Sequence, residues 1–165
     1  MILRCGICLY LLLSLISCNN TRRVFLPEEL PVMLLGERID SKGLFTPKKV
    51  KVVYFFKSLK SEFSALVVEN ALIPAIERYK DNPDIVFLIY LSSLDGDFSQ
   101  EEQYMKDIGF SYPVIYDINK EYVMRNFGKE YNYICHTFDK KNRYVDTYPG
   151  AGASFFTIVD KILKE

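Results

Sequence analysis

Residues 50–56, Val-Lys-Val-Val-Tyr-Phe-Phe, form a β-branched and aromatic run that is typical of a buried strand. Residues 61–80 follow with apolar side chains at helical spacing, and Pro74 predicts a kink or a break in that helix. Residues 84–91, Asp-Ile-Val-Phe-Leu-Ile-Tyr-Leu, predict a second buried strand. Strands that alternate with helices in this way indicate a largely parallel sheet.

The pattern continues to the last residue. It predicts a helix from 99 to 109 that opens with the capping box Ser-Gln-Glu-Glu, a strand over 112–116, a helix over 119–127, strands over 131–138 and 143–148 joined by a turn at 139–142, and a final amphipathic helix over 154–164. The predicted fold class is therefore α/β, with a central mixed sheet of about four to five strands, helices on both faces and an antiparallel hairpin at one edge.

The first 17 residues have the pattern of a signal peptide. Met1 and Arg4 bound a short positive region, and residues 5–17 are uncharged and almost wholly apolar. Thirteen residues are too few to span a bilayer as a helix, which needs about 20, but they suit a secretory signal. The run ends at Cys18 and resembles the lipobox of bacterial lipoproteins, which implies a membrane anchor through lipid on Cys18. An ordinary secretory signal or an uncleaved anchor is the alternative.

The predicted signal peptide and lipid anchor account for three of the four cysteines. Cys5 and Cys8 leave with the signal peptide although their spacing is that of a redox motif, and Cys18 carries lipid. Only Cys135 remains as a thiol, so the mature chain forms no intramolecular disulfide. Because Cys135 and His136 are the only sulfur and imidazole ligands left, we predict neither a metal site nor a cofactor.

Composition sets the remaining bounds. Lysine plus arginine and aspartate plus glutamate both total 21, so the sequence has no basic excess and we predict no nucleic-acid partner. Residues 18–47 read as a lipid-anchored linker with a possible short strand at 32–35, followed by turns. Residues 48–165 form the predicted domain.

Three segments resemble the thioredoxin fold in their order and spacing. Residues 52–58 are similar to the strand that leads to the catalytic Cys-x-x-Cys, residues 109–114 to the entry into the third strand, and residues 137–145 to the late hairpin. The resemblance covers about residues 48–165 and is to lipoproteins of the redoxin and alkyl hydroperoxide reductase–thiol-specific antioxidant type. It implies a Cys-x-x-Cys at the start of the first long helix.

This chain departs from the family at that point. One register places Ser61 and Ser64 on the two cysteine positions, and a register one residue earlier places Lys60 and Phe63 there. Neither supplies the thiolate that disulfide exchange requires. We expect Ser61 to cap the helix instead. A serine hydrolase is the alternative, and it would need His136 as its base.

Three further features bear on function. Residues 130–134 contain no proline where the family usually has a cis-proline for substrate docking. Cys135 and His136 are neighbours on a predicted strand, so their side chains should point to opposite faces. We expect Cys135 to be a small buried hydrophobe and His136 to be exposed or hydrogen-bonded. Residues 92–97 read as a turn, since they lack the spacing of a calcium loop.

Two functions of different classes follow. The first is a degenerate thioredoxin-fold lipoprotein without exchange activity, anchored in the inner or outer membrane of the cell envelope and facing the periplasm, where it binds a protein partner or serves in envelope assembly. The alternative is an oxidoreductase or peroxide reductase that uses Cys135 as its only thiol. A ligand-binding module with an aromatic groove is a third reading, and the sequence does not separate it from the first.

Overall fold

The computed structural model describes residues 30–34, 37–40, 44, 48–59, 61–92, 96–110, 112–129, 132–148 and 152–165. The predictions for the signal peptide at 1–17 and for lipid on Cys18 lie outside these residues. Within the described residues, no helix combines the length and the apolar character needed to cross a membrane.

A single mixed sheet organises the fold. Its strands are β1 (Val32–Leu34), β2 (Glu37–Ile39), β3 (Val50–Phe56), β4 (Ile85–Leu91), β5 (Val114–Tyr116), β6 (Tyr133–Phe138) and β7 (Tyr144–Tyr148), in the spatial order β2-β1-β5-β4-β3-β6-β7. β3, β4 and β5 are parallel to one another, whereas β1, β2, β6 and β7 pair antiparallel with their neighbours. The α/β class, the mixed sheet and the antiparallel hairpin at its edge are confirmed.

The sheet has seven strands rather than four to five, because the segment predicted as a linker adds two. β1 pairs with β5 and carries β2 on its outer side. The sequence indicates β1, but Glu37–Ile39 lacks the β-branched run that predicts a strand. β2 is formed by pairing with β1, which is a tertiary effect that local propensity does not report.

The described residues contain these helical segments: α1 (Glu62–Val67), a π-helical segment (Val68–Leu72), α2 (Ile73–Tyr79), α3 (Ser99–Asp107), α4 (Glu121–Phe127) and, after the last strand, α5 (Ala153–Lys164). The first three are consecutive, so the helix predicted over 61–80 is one continuous element with a wide turn in its middle. Ile73 donates its N–H to the Val68 carbonyl five residues back. This turn lies directly before Pro74, whose ring crowds the carbonyl four residues earlier in a regular helix.

The capping box predicted at Ser99 is misplaced by one residue. Ser99 lies inside α3, Phe98 is the N-cap, and the Asp97 carboxylate accepts the Ser99 N–H at 2.9 Å. Gly128 ends α4 as predicted, with a positive φ of 67° that glycine adopts without strain.

The sheet has a buried apolar cluster on each face. Side chains of the long helix, α3 and α5 meet one face of β3, β4 and β6, for example through Leu72, Met105 and Phe155. Tyr122 and Val123 of α4 meet the other face. Helices therefore cover both faces, as the alternating pattern predicts.

Candidate functional site

The candidate site lies where β3 ends and α1 begins. β3 is buried along its whole length, and Ser92 and Asp117, which follow β4 and β5, donate their N–H groups to Phe56 and Leu91. The carboxyl ends of the three parallel strands therefore meet at one end of the sheet, which we call the α1 end. Ser61 opens the helix five residues after Phe56. In parallel α/β sheets this end is where ligands bind.

Ser61 is the N-cap of α1, as predicted. Its Oγ accepts the Ser64 N–H at 3.1 Å and donates to the Ser64 Oγ at 2.9 Å. Ser61 is exposed, whereas Ser64 is 1% exposed. The two side chains therefore converge at the first turn, where the Ser61 Oγ satisfies a backbone N–H that would otherwise have no partner in the helix.

The loop before Ser61 is tied to α3. Ser58 Oγ donates to Glu101 Oε1 at 3.1 Å, and Glu101 is 1% exposed. Leu59 is buried in the core. Of the alternative register, which places Lys60 and Phe63 on the two cysteine positions, Lys60 lies outside the described residues and Phe63 is an exposed residue of α1. The sequence does not reveal the Ser58–Glu101 contact, because it joins positions 43 residues apart and Glu101 is one of five consecutive polar residues.

Cys135 lies in the middle of β6, which is the strand between β3 and the edge strand β7. It is 0% exposed and faces the cluster formed with α1, α3 and α5, between Tyr54 of β3 and Tyr148 of β7 in the strand register. Burial raises the pKa of the Cys135 thiol well above its usual range, and a hydrogen bond with Tyr54 offsets only part of that rise. An inaccessible thiol that stays protonated is a poor nucleophile.

His136 points to the opposite face, as expected for the neighbour of Cys135 on a strand. It is 0% exposed, and its Nδ1 is hydrogen-bonded to the Tyr122 hydroxyl. Of the two roles expected for this residue, the hydrogen-bonded one is therefore found. Since α1 covers the other face of the sheet, the imidazole of His136 does not reach the Ser61 hydroxyl, and the geometry gives no support to the serine hydrolase alternative.

Residues 93–95 of the segment predicted as a turn lie outside the described residues, while Ser92 continues the β4 edge. Among the residues that the structure describes, no group of three or more His, Cys, Asp or Glu side chains is arranged to hold a metal ion. What the start of α1 offers chemically is a pair of hydrogen-bonded hydroxyls at a helix N-terminus.

Comparison with solved structures identifies the fold. The thioredoxin-family thiol:disulfide interchange protein from Chlorobium tepidum matches with a TM-score of 0.60 and 17% identity, over 84% of this chain and 98% of that protein. A thiol-disulfide isomerase from Corynebacterium glutamicum matches with a TM-score of 0.64 and 17% identity, over 87% and 98%. The exposed lipoprotein thioredoxin of Streptococcus pneumoniae matches with a TM-score of 0.57 and 19% identity, over 82% and 98%.

No protein-family model matches this sequence, and a search of curated proteins finds no match either. The matches to solved structures show a thioredoxin-like fold, as the resemblance in the sequence implies. Because a fold does not fix a function, the function of this chain has to be argued from its own residues.

Proposed function

We propose that this chain is a thioredoxin-fold lipoprotein of the cell envelope that carries out no thiol–disulfide exchange and acts by binding a protein partner. The observation that carries the proposal is the Ser61–Ser64 hydroxyl pair at the start of α1, 2.9 Å apart. Lipid on Cys18 holds the domain at the membrane, facing the periplasm.

The chemistry of disulfide exchange supports the first part of the proposal. Exchange proceeds by attack of a thiolate on a disulfide sulfur through a mixed disulfide. A helix start favours a thiolate, because the unpaired N–H groups and the helix dipole stabilise negative charge there. A serine hydroxyl at that position stays protonated and forms no mixed disulfide. Its hydrogen bonds with Ser64 instead stabilise the first turn of α1.

The oxidoreductase alternative depends on Cys135, and the surroundings of this thiol do not favour it. Cys135 is 0% exposed, its pKa is raised, and it lies in the middle of β6 rather than at the start of α1. A partner disulfide reaches this sulfur only after β6 separates from the core. We therefore propose a binding role rather than a redox role, because the scaffold is retained while the position for redox chemistry holds no sulfur.

The test is insulin reduction by dithiothreitol, measured with the wild-type protein, with Ser61→Cys/Ser64→Cys and with Cys135→Ala. We expect no acceleration by the wild type. We expect the double variant to accelerate the reaction, because the Ser61 and Ser64 side chains already converge at the helix start.

A matched control is Ser58→Cys/Ser61→Cys, which places two thiols at the same spacing but puts the second position at the N-cap. It should be much less active than Ser61→Cys/Ser64→Cys. Acceleration by the wild type that is lost in Cys135→Ala would contradict the proposal and establish the redox alternative.

A further inference from the structure

The described chain enters the fold at the α1 end. Pro31, directly before β1, accepts the Tyr116 N–H at 2.9 Å, and β1 then runs antiparallel to β5. β1 therefore starts beside the carboxyl end of β5 and leads away from it. The chain that precedes Leu30 joins the domain at the same end of the sheet as Ser61.

The three most exposed large hydrophobic residues of the described chain belong to this end. Phe63 is 58% exposed and Leu66 is 56% exposed, and they lie three residues apart in α1, which places them on one side of the helix. Ile118 is 54% exposed and follows Tyr116, the last residue of β5. We call these three residues the apolar end group. All three follow the carboxyl end of a parallel strand, Phe63 and Leu66 after β3 and Ile118 after β5. Exposed apolar side chains at one end of a domain mark a surface that contacts another molecule or a membrane.

The length of the chain between Cys18 and Leu30 bears on which end of the domain faces the bilayer. Eleven residues, 19–29, separate Cys18 from Leu30. Even a fully extended chain of this length covers only about 40 Å. The seven residues of β3 alone span about 23 Å at roughly 3.3 Å per residue. If the opposite end of the sheet faced the bilayer, the tether would have to run along the domain and would use most of its length. With the α1 end toward the bilayer, the tether needs no such path.

From the chain entry and the apolar end group together, we infer that the α1 end rests on the phospholipid bilayer that carries the anchor, with Phe63, Leu66 and Ile118 in its interfacial region. This inference rests on the lipid tether of the proposed function. Apolar side chains on such a surface enter about 5–10 Å into the boundary between headgroups and acyl chains. The Ser61–Ser64 pair then lies at the end of the domain that faces the membrane.

The chain contains no tryptophan, so a single introduced tryptophan reports its own surroundings. We would prepare the mature lipidated protein as the separate variants Phe63→Trp and Ile118→Trp. The matched control is Val145→Trp, an exposed hydrophobic position of β7 whose neighbours Tyr144 and Asp146 pair with the end of β6 opposite the α1 end. Each variant is reconstituted on vesicles of phosphatidylethanolamine and phosphatidylglycerol in which a fraction of the acyl chains is brominated.

We expect the emission of Phe63→Trp and Ile118→Trp to shift to shorter wavelength and to lose most of its intensity to the brominated chains. Val145→Trp should show neither change. Equal quenching at all three positions, or no quenching at any of them in protein that floats with the vesicles, overturns the orientation while leaving the tether intact. Mature protein that does not float with the vesicles overturns the tether, and this inference with it.

Discussion

A thiol enzyme needs an accessible sulfur, and in this chain accessibility is found at the start of α1 whereas the sulfur is found in the middle of β6. Ser61 is exposed and caps a helix, but it has no sulfur. Cys135 has the sulfur, but it is 0% exposed and lies between neighbouring strands. In this chain the exposed helix start and the buried thiol lie apart, and the proposal that the protein carries out no thiol–disulfide exchange depends on that separation.

The largest effect on stability is expected at Cys135, which we predict to be a purely structural thiol. Cys135→Asp puts a carboxylate into an apolar cluster, so we expect a loss of at least about 3 kcal/mol in the free energy of unfolding, or failure to fold. Urea denaturation measures this loss. Cys135→Ala is the matched control and should cost much less, since it introduces no charge. Similar, small losses for both variants would mean that the site is open to water.

A smaller effect is expected at the start of α1. Ser61→Ala removes the acceptor of the Ser64 N–H and should cost about 0.5–2 kcal/mol, as loss of an N-cap does. Ser61→Asp is the control that keeps an acceptor and adds a charge that suits the helix start. It should recover most of the lost free energy of unfolding. If Ser61→Ala has the stability of wild type, Ser61 is not a structural cap.

The smallest effect concerns the turn that joins β6 to β7. Burial opposes ionisation of Asp139, but hydrogen bonds from the Arg143 N–H, the Arg143 guanidinium and the Lys141 N–H outweigh it and lower the pKa of Asp139. The stabilisation is therefore complete above the unfolded pKa of about 3.9 and is lost as the pH falls through the lower folded pKa. Tm measured between pH 5 and 2 should fall more steeply for wild type than for Asp139→Asn. Parallel curves would mean that this carboxylate does not contribute.

The elements that local sequence decides could be predicted. The β-branched run of β3, the helical spacing after Ser61 and the serine at the helix start all act within a few residues, and the structure places them as expected. The opposite facing of Cys135 and His136 follows from strand geometry alone.

The elements that depend on distant partners could not be predicted. β2 exists because β1 pairs with it at the sheet edge, and the contact between Ser58 and Glu101 joins a loop to α3, which only the fold brings together. The Tyr122 partner of His136 was not visible either, because it requires knowing that α4 covers the same face. The position of the apolar end group required the direction of every strand at that end.

The most direct test of the central claim is the alkylation rate of Cys135 in the folded mature protein, followed by mass spectrometry with iodoacetamide. The comparison predicts that Cys135 reacts only through unfolding, at least about a thousandfold more slowly in native buffer than in concentrated urea. With Cys18 lipidated as proposed, Cys135 is the only free thiol from residue 18 onward, so the mass change reports it alone. Alkylation in native buffer at a rate close to that of the unfolded chain would contradict a buried structural thiol and would return Cys135 to consideration as a redox centre.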